Sequence, residues 1–306
     1  MEQLHSTNFA VTEEEAVALE ELPYQTLTQI YTLDQLAADI SKDNATTKNL
    51  LKSIHPRGQA IIFGPPGTGK TFLAEHLAHH LVSGGDGLVQ LVQFHPAYAY
   101  KDFIQGIRPQ ARPDGTLEYS VVPGRFLEFC RKAQERDGIC VLIIDEINRA
   151  NLSRVFGEMM YLLEYRNKGI PLSVDGTLFR IPENVRIIST MNTADRSIAL
   201  VDHAPRRRFA FIQLSPDFDI LKRYHAREDT DFPVEALVSV LINLNKDIKD
   251  PHYDLGISYF LRENLKEEME GIWRMEIEPY LDEYFFDNRK SADKFRWDSI
   301  RSVLGF

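Results

Sequence analysis

At 306 residues, with 43% hydrophobic and 26% charged side chains, the chain has an ordinary globular composition and is long enough to bury a substantial core. Acidic side chains outnumber basic ones 45 to 35. The formal net charge of −10 argues against a surface that grips nucleic acid through many phosphates, though not against a local basic loop. The two cysteines, Cys130 and Cys140, are too few for a disulfide framework and read as reduced, buried small hydrophobes. No apolar run approaches bilayer-spanning length, and the N-terminus lacks a basic-then-apolar signal pattern. Together these features predict a cytoplasmic protein without a membrane partner.

Residues 1–56 read as an acidic helical leader. TEEEAVALEEL is rich in helix formers, and apolar positions from Leu33 to Leu51 recur at loosely helical spacing. The leader carries no chemical motif and is expected to serve in packing or as a capping arm. Residues 57–214 alternate strands with helices. Apolar runs at 59–63, 88–95, 140–146, 185–191 and 209–214 predict five buried parallel strands. Helical patterns at 71–82, 124–135 and 152–165 lie between them. This alternation predicts an α/β fold, a three-layer αβα domain around a parallel five-stranded sheet with right-handed crossovers. Residues 170–181 depart from the pattern and predict two short strands around an Asp175-Gly176 turn. Residues 215–306 predict a small α-helical domain, with helices at 237–248, 262–268 and 272–284.

The strongest chemical signal is Gly64-Pro65-Pro66-Gly67-Thr68-Gly69-Lys70-Thr71, between a predicted strand and a predicted helix. It matches a phosphate-binding P-loop at every fixed position. Glycines let successive backbone N–H groups turn toward phosphate oxygens, and the following helix N-terminus adds positive potential. Lys70 is the point charge for the β and γ phosphates, and the Thr71 hydroxyl is a ligand for Mg²⁺. The apolar strand at 140–146 ends in Asp145 and Glu146. Asp145 is expected to hold Mg²⁺ and Glu146 to polarise the attacking water. The strand at 185–191 leads into Asn192, which is expected to face the γ-phosphate, since ligand crevices lie at the carboxyl ends of parallel strands.

Three strings make the pattern specific: Asp145-Glu146-Ile147-Asn148-Arg149-Ala150-Asn151, Met191-Asn192-Thr193-Ala194-Asp195-Arg196-Ser197 and Arg206-Arg207-Arg208-Phe209. With the stretch at 93–106 and the closing Glu283-Tyr284-Phe285-Phe286, they closely resemble the McrB family of AAA+ motor subunits of modification-dependent restriction systems. The resemblance runs from about residue 59 to 286. It implies a P-loop AAA+ domain followed by a helical lid, assembled as a homo-hexamer with nucleotide between subunits. It also implies hydrolysis of GTP in preference to ATP, action on DNA, and a separate McrC-like endonuclease partner. Within it, Asp195 and Arg196 belong by the catalytic water or the subunit interface. Arg206, Arg207 and Arg208 resemble the arginines one subunit offers to its neighbour's γ-phosphate. Two departures stand out. No lid arginine is evident near Gly256-Ile257-Ser258-Tyr259-Phe260, Arg262 being nearest. And the P-loop at Gly64 leaves no room for the DNA-reading module common in the family, which predicts a motor-only relative or a fragment.

Other readings are weighed by residue content. A self-contained nuclease would need an acid-x-Lys core. The chain has no Glu-x-Lys, and its one Asp-x-Lys, Asp247-Ile248-Lys249, falls in a predicted lid helix. A MoxR-type chaperone, an ATP-driven ring acting on protein, is the main alternative. Tyr98, Tyr100 and Lys101 could line an interface or a DNA path, but their composition favours packing at the sheet edge and shaping the nucleotide pocket.

Overall fold

The computed structural model describes residues 29–54, 58–112, 115–195 and 203–306. The stretch TEEEAVALEEL and Arg196 lie outside the described residues. Two helices lead in, α1 (Leu33–Asp39) and α2 (Asn44–Ile54). Thr32 starts α1 with a reciprocal cap, accepting from Gln35 N at 3.2 Å while its own N–H donates to Gln35 Oε1 at 2.8 Å. Strand β1 (Gln59–Gly64) then enters α3 (Lys70–Val82), followed by β2 (Val89–Gln93) and a single-turn helix, α4 (Tyr100–Phe103). A hairpin of β3 (Gln105–Ala111) and β4 (Leu117–Pro123) precedes α5 (Arg125–Gln134) and β5 (Cys140–Asp145). Helices α6 (Leu152–Phe156) and α7 (Met159–Glu164) come next, then the two-residue pair β6 (Ile170–Pro171) and β7 (Leu178–Phe179). The body closes with β8 (Val185–Asn192), α8 (His203–Arg208) and β9 (Ala210–Gln213).

The five main strands are parallel in the order β2-β5-β8-β1-β9. Residue alternation splits the apolar load between the two faces. Ile61, Leu142, Ile144 and Ile187 join one core with α5, α6 and α7. Ala60, Ile62, Val141, Ile143 and Ile188 join the other with α1, α2 and α3. The helices of the leader are therefore packed beside the P-loop helix, through Leu36, Ile40 and Ile54.

A separate core holds the helical region. It comprises α9 (Phe218–Arg227), α10 (Val234–Ile248), α11 (Leu265–Ile272), α12 (Glu278–Tyr284), α13 (Arg289–Asp293) and α14 (Trp297–Ile300). Its centre is the fully buried Trp273, whose indole N–H donates to Phe295 O at 2.7 Å.

Several sequence expectations need correction. The helix expected at 152–165 is broken, because Gly157 takes φ +50° and ends α6. The helix expected at 262–268 starts only at Leu265. The helix expected at 272–284 opens with a π-helical turn, Trp273–Ile277. Pro279, without an N–H, sits in the first turn of α12, where the regular hydrogen-bond ladder resumes. Helix α9 and the β3–β4 hairpin were not expected. The hairpin's apolar positions Ile107, Leu117, Tyr119 and Val121 are exposed, so its alternation gave no buried-strand signal.

Candidate functional site

Close backbone packing builds the phosphate loop. A Cβ on Gly64 would lie 2.0 Å from Leu214 O, so only glycine lets β1 and the chain after β9 approach this closely. Gly67 and Gly69 take φ +73° and +79°, the left-handed turns that wrap the loop onto the start of α3. Lys70 is 7% exposed, and its ammonium donates to Pro65 O at 2.8 Å. Thr68 Oγ1 donates to the same carbonyl at 2.9 Å. Burial pushes the Lys70 pKa down to about 8, against the upward pull of Asp145, Asp195 and Glu146.

The strand order brings the remaining groups to this loop. Because β8 lies between β1 and β5, Asn192 stands in register with Gly64 and one strand from Asp145. Asp145 Oδ1 accepts from Thr71 Oγ1 at 2.9 Å and from Thr190 Oγ1 at 2.5 Å. Thr190 Oγ1 also accepts from Glu146 N at 3.1 Å, so one hydroxyl steadies both acids. Thr190 was not picked out from sequence, although it lies two residues before Asn192 and so on the same strand face. Glu146 takes a left-handed conformation at φ +53°, uncommon for a residue with a side chain. Burial raises its pKa, with Arg149 pulling it down. Arg149 Nε lies 2.6 Å from Glu146 Oε2 and 3.7 Å from Asp195 Oδ2. Lys70, Thr71, Asp145, Glu146, Thr190 and Asn192 thus line one pocket of about 220 Å³.

The donor set suits a hard cation. Thr71 Oγ1 and Asp145 Oδ1 converge at the pocket, and both are oxygen ligands. Among the described residues no group of three or more His, Cys, Asp or Glu side chains could hold a metal. The Thr71–Asp145 oxygen pair fits Mg²⁺, which binds through one or two protein oxygens and completes its shell with phosphate and water.

A larger cleft of about 1160 Å³ opens beside the pocket, and Gly69, Phe72 and Ser258 line both. Its walls come from the α1–α2 turn at Ile40–Asp43 and from α9. The helical region is hydrogen-bonded to the phosphate loop: Gly256 N donates to Pro66 O at 3.1 Å and Ser258 N to Gly67 O at 2.9 Å. Thr193 Oγ1 donates to His252 O at 2.8 Å, tying the end of β8 to the same region. Arg262, the arginine nearest the expected lid position, is ion-paired with Glu268 at 2.8 Å. The arginines lining the cleft are Arg223 and Arg227 on α9, a helix the apolar pattern did not reveal.

The three consecutive arginines separate. Arg208 pairs with Glu164 at 3.0 Å, and its carbonyl accepts from Gln59 Nε2 at 2.7 Å. Arg206 and Arg207 are exposed. All three sit at the Gln59 end of β1, a six-residue strand and roughly 17 Å from the loop at its Gly64 end. The aromatic stretch packs as its composition favoured. Tyr98 stacks on Phe94 with ring centroids 4.7 Å apart, and Tyr100 Oη donates to Glu158 Oε1 at 2.6 Å. Lys101 is exposed. Both cysteines are buried and free. Among the described residues no helix is long and apolar enough to cross a membrane.

Residues 59–209 match the family model for the AAA domain of the dynein-related subfamily. Residues 236–293 match that for the McrB alpha-helical lid domain. The chain is 38% identical over 300 residues to the type IV methyl-directed restriction enzyme EcoKMcrB subunit of Escherichia coli K12, covering 90% of this chain. It belongs to the McrB-type AAA+ proteins. Its helical region is accordingly an McrB lid, docked on the P-loop through Gly256 and Ser258. A second relative, the type II restriction enzyme BsuMI component YdiS of Bacillus subtilis 168, is 28% identical over 233 residues, 64% of this chain. The chain spans 64% of the length of the first relative and 66% of the second.

Proposed function

We propose that this McrB-type AAA+ protein is a Mg²⁺-dependent nucleoside triphosphatase, hydrolysing GTP faster than ATP, and the ring-forming motor of a restriction system. One observation carries the hydrolytic part. A lysine, a hydroxyl–carboxylate pair, a second carboxylate and an asparagine converge on one pocket continuous with a cleft under the lid. The pocket suits the phosphates and the cleft the nucleoside. The P-loop amides and Lys70 bind the triphosphate, Thr71 and Asp145 would hold the metal, and Glu146 with Asn192 orients water. Mg²⁺, when bound, neutralises charge on the phosphate oxygens. Asp195 supports this cluster through Arg149, and Arg196 belongs to the same string.

The arginines support nucleotide sites shared between neighbouring subunits, as the homo-hexameric ring of this reading requires. Arg206, Arg207 and Arg208 lie just before β9, at the opposite end of the strands from their own phosphate loop, which favours contact with a neighbouring subunit's γ-phosphate over their own. Arg206 and Arg207 are the two exposed for that purpose, while Arg208 anchors α8. Work done on DNA, and the driving of a separate McrC-type endonuclease, extend the reading on the strength of the relatives' printed roles in restriction.

The test compares GTP and ATP turnover by the unaltered protein with Mg²⁺, and then by Glu146→Gln. GTP should turn over faster, and the variant should bind nucleotide with turnover reduced by about a hundredfold or more. Hydrolysis of ATP alone would overturn the GTP assignment. Unchanged turnover in Glu146→Gln would remove that residue from its role.

A further inference from the structure

We propose that Arg149 is a positioning residue for hydrolysis, fixing the Glu146 carboxylate by holding it and Asp195 on one guanidinium. This rests on the hydrolytic reading above. The backbone of Glu146 is already fixed: its N–H donates to Thr190, its φ is +53°, and its carbonyl accepts from Arg149 N at 2.9 Å. Backbone geometry alone does not decide where a glutamate's terminal carboxylate points, because the side chain has rotatable bonds of its own. The contact that sets it is the 2.6 Å approach of Arg149 Nε to Glu146 Oε2.

Arg149 is suited to this by its rooting. It ends the 3₁₀ turn Ile147–Arg149, whose first two residues are buried. Asn148 Nδ2 also donates to Asn192 O at 3.4 Å, so the turn is tied to the end of β8. Asp195 Oδ2, 3.7 Å from the same Nε and beyond hydrogen-bond distance, adds a weaker ionic contact from the loop after β8. The Nε–H of a planar guanidinium is directional and fixes the carboxylate it meets, while its delocalised charge still attracts a second carboxylate nearby; an ammonium acts as a single point charge. Arg149 thus couples the water-polarising acid to the β8 loop without lining the phosphate pocket itself.

The experiment measures kcat, KM and nucleotide dissociation constant for Arg149→Ala and Arg149→Lys, alone and in a Glu146→Gln background read by single-turnover assay. Arg149→Ala should lower kcat by about ten- to a hundredfold, with KM and dissociation constant within about twofold of the unaltered protein. Arg149→Lys should recover part of that loss. In the Glu146→Gln background, Arg149→Ala should add no further loss, because its effect passes through the removed carboxylate. An unchanged or increased kcat in Arg149→Ala would overturn the proposal. So would weakened binding matching the activity loss, or an undiminished further loss in the double variant. Failure of the unaltered protein to hydrolyse any nucleotide is a different result, and it counts against the parent reading.

Discussion

Lys70 shows how burial prepares a charge for a ligand. Desolvation holds its pKa down to about 8, and nearby carboxylates only partly offset it. Phosphate oxygens favour the ammonium, so binding raises the pKa. A group whose pKa is higher in the bound state supports affinity fully below its free value, and that support fades as pH rises through and above it. The Mg²⁺–nucleotide dissociation constant should therefore be flat below pH 7 and rise by up to about tenfold per pH unit above 8. Binding at pH 8.5 should also take up protons. Calorimetry in buffers of different ionisation enthalpy checks this, and a buffer-independent heat would show that Lys70 is already fully charged.

At the scale of elements, the lid and the P-loop meet backbone to backbone. A Cβ on Gly256 would stand 2.0 Å from the Gly67 carbonyl carbon, and one on Gly67 would stand 2.5 Å from the Tyr259 ring. Neither backbone can shift without disturbing the hydrogen bonds from Gly256 and Ser258 to the phosphate loop. Gly256→Ala is expected to loosen lid docking, weakening nucleotide binding by about tenfold or more while the α/β and lid cores stay folded. Equilibrium binding with a labelled nucleotide, beside an unchanged far-ultraviolet circular dichroism spectrum, tests it. Affinity equal to that of the unaltered protein would mean the close approach is dispensable.

For the whole molecule, the position of α8 sets the expectation. An arginine tied to the Gln59 end of β1 is poorly placed to serve the loop at the Gly64 end of the same strand. Mixing Lys70→Ala subunits, which lack the phosphate charge, with Arg207→Ala subunits should restore part of the turnover that neither shows alone. In a mixed assembly some intact P-loops face intact arginines, and an arginine supplied across an interface contributes about 10³–10⁵ in rate. Turnover measured across a series of mixing ratios is the check. No recovery at any ratio would count against action between subunits.

Much of this protein follows from local chain chemistry. The P-loop, the acids Asp145 and Glu146 and the end of β8 were legible because each combines an apolar strand with polar residues at its end, and short-range pattern records that directly. The two-core sheet followed from the same runs. The single-turn break at Gly157 was not legible, because a lone glycine inside a helical pattern does not reveal its φ. The exposed β3–β4 hairpin also escaped, since burial is what gives strand alternation its meaning. Tertiary structure alone decided that Thr190 braces both acids, that Arg149 reaches Glu146 and Asp195, and that Arg208 turns to Glu164 while Arg206 and Arg207 stay exposed. The reason is physical. Residue type and spacing fix which face of an element a side chain occupies, but which distant side chain meets it depends on the order and register in which strands pack.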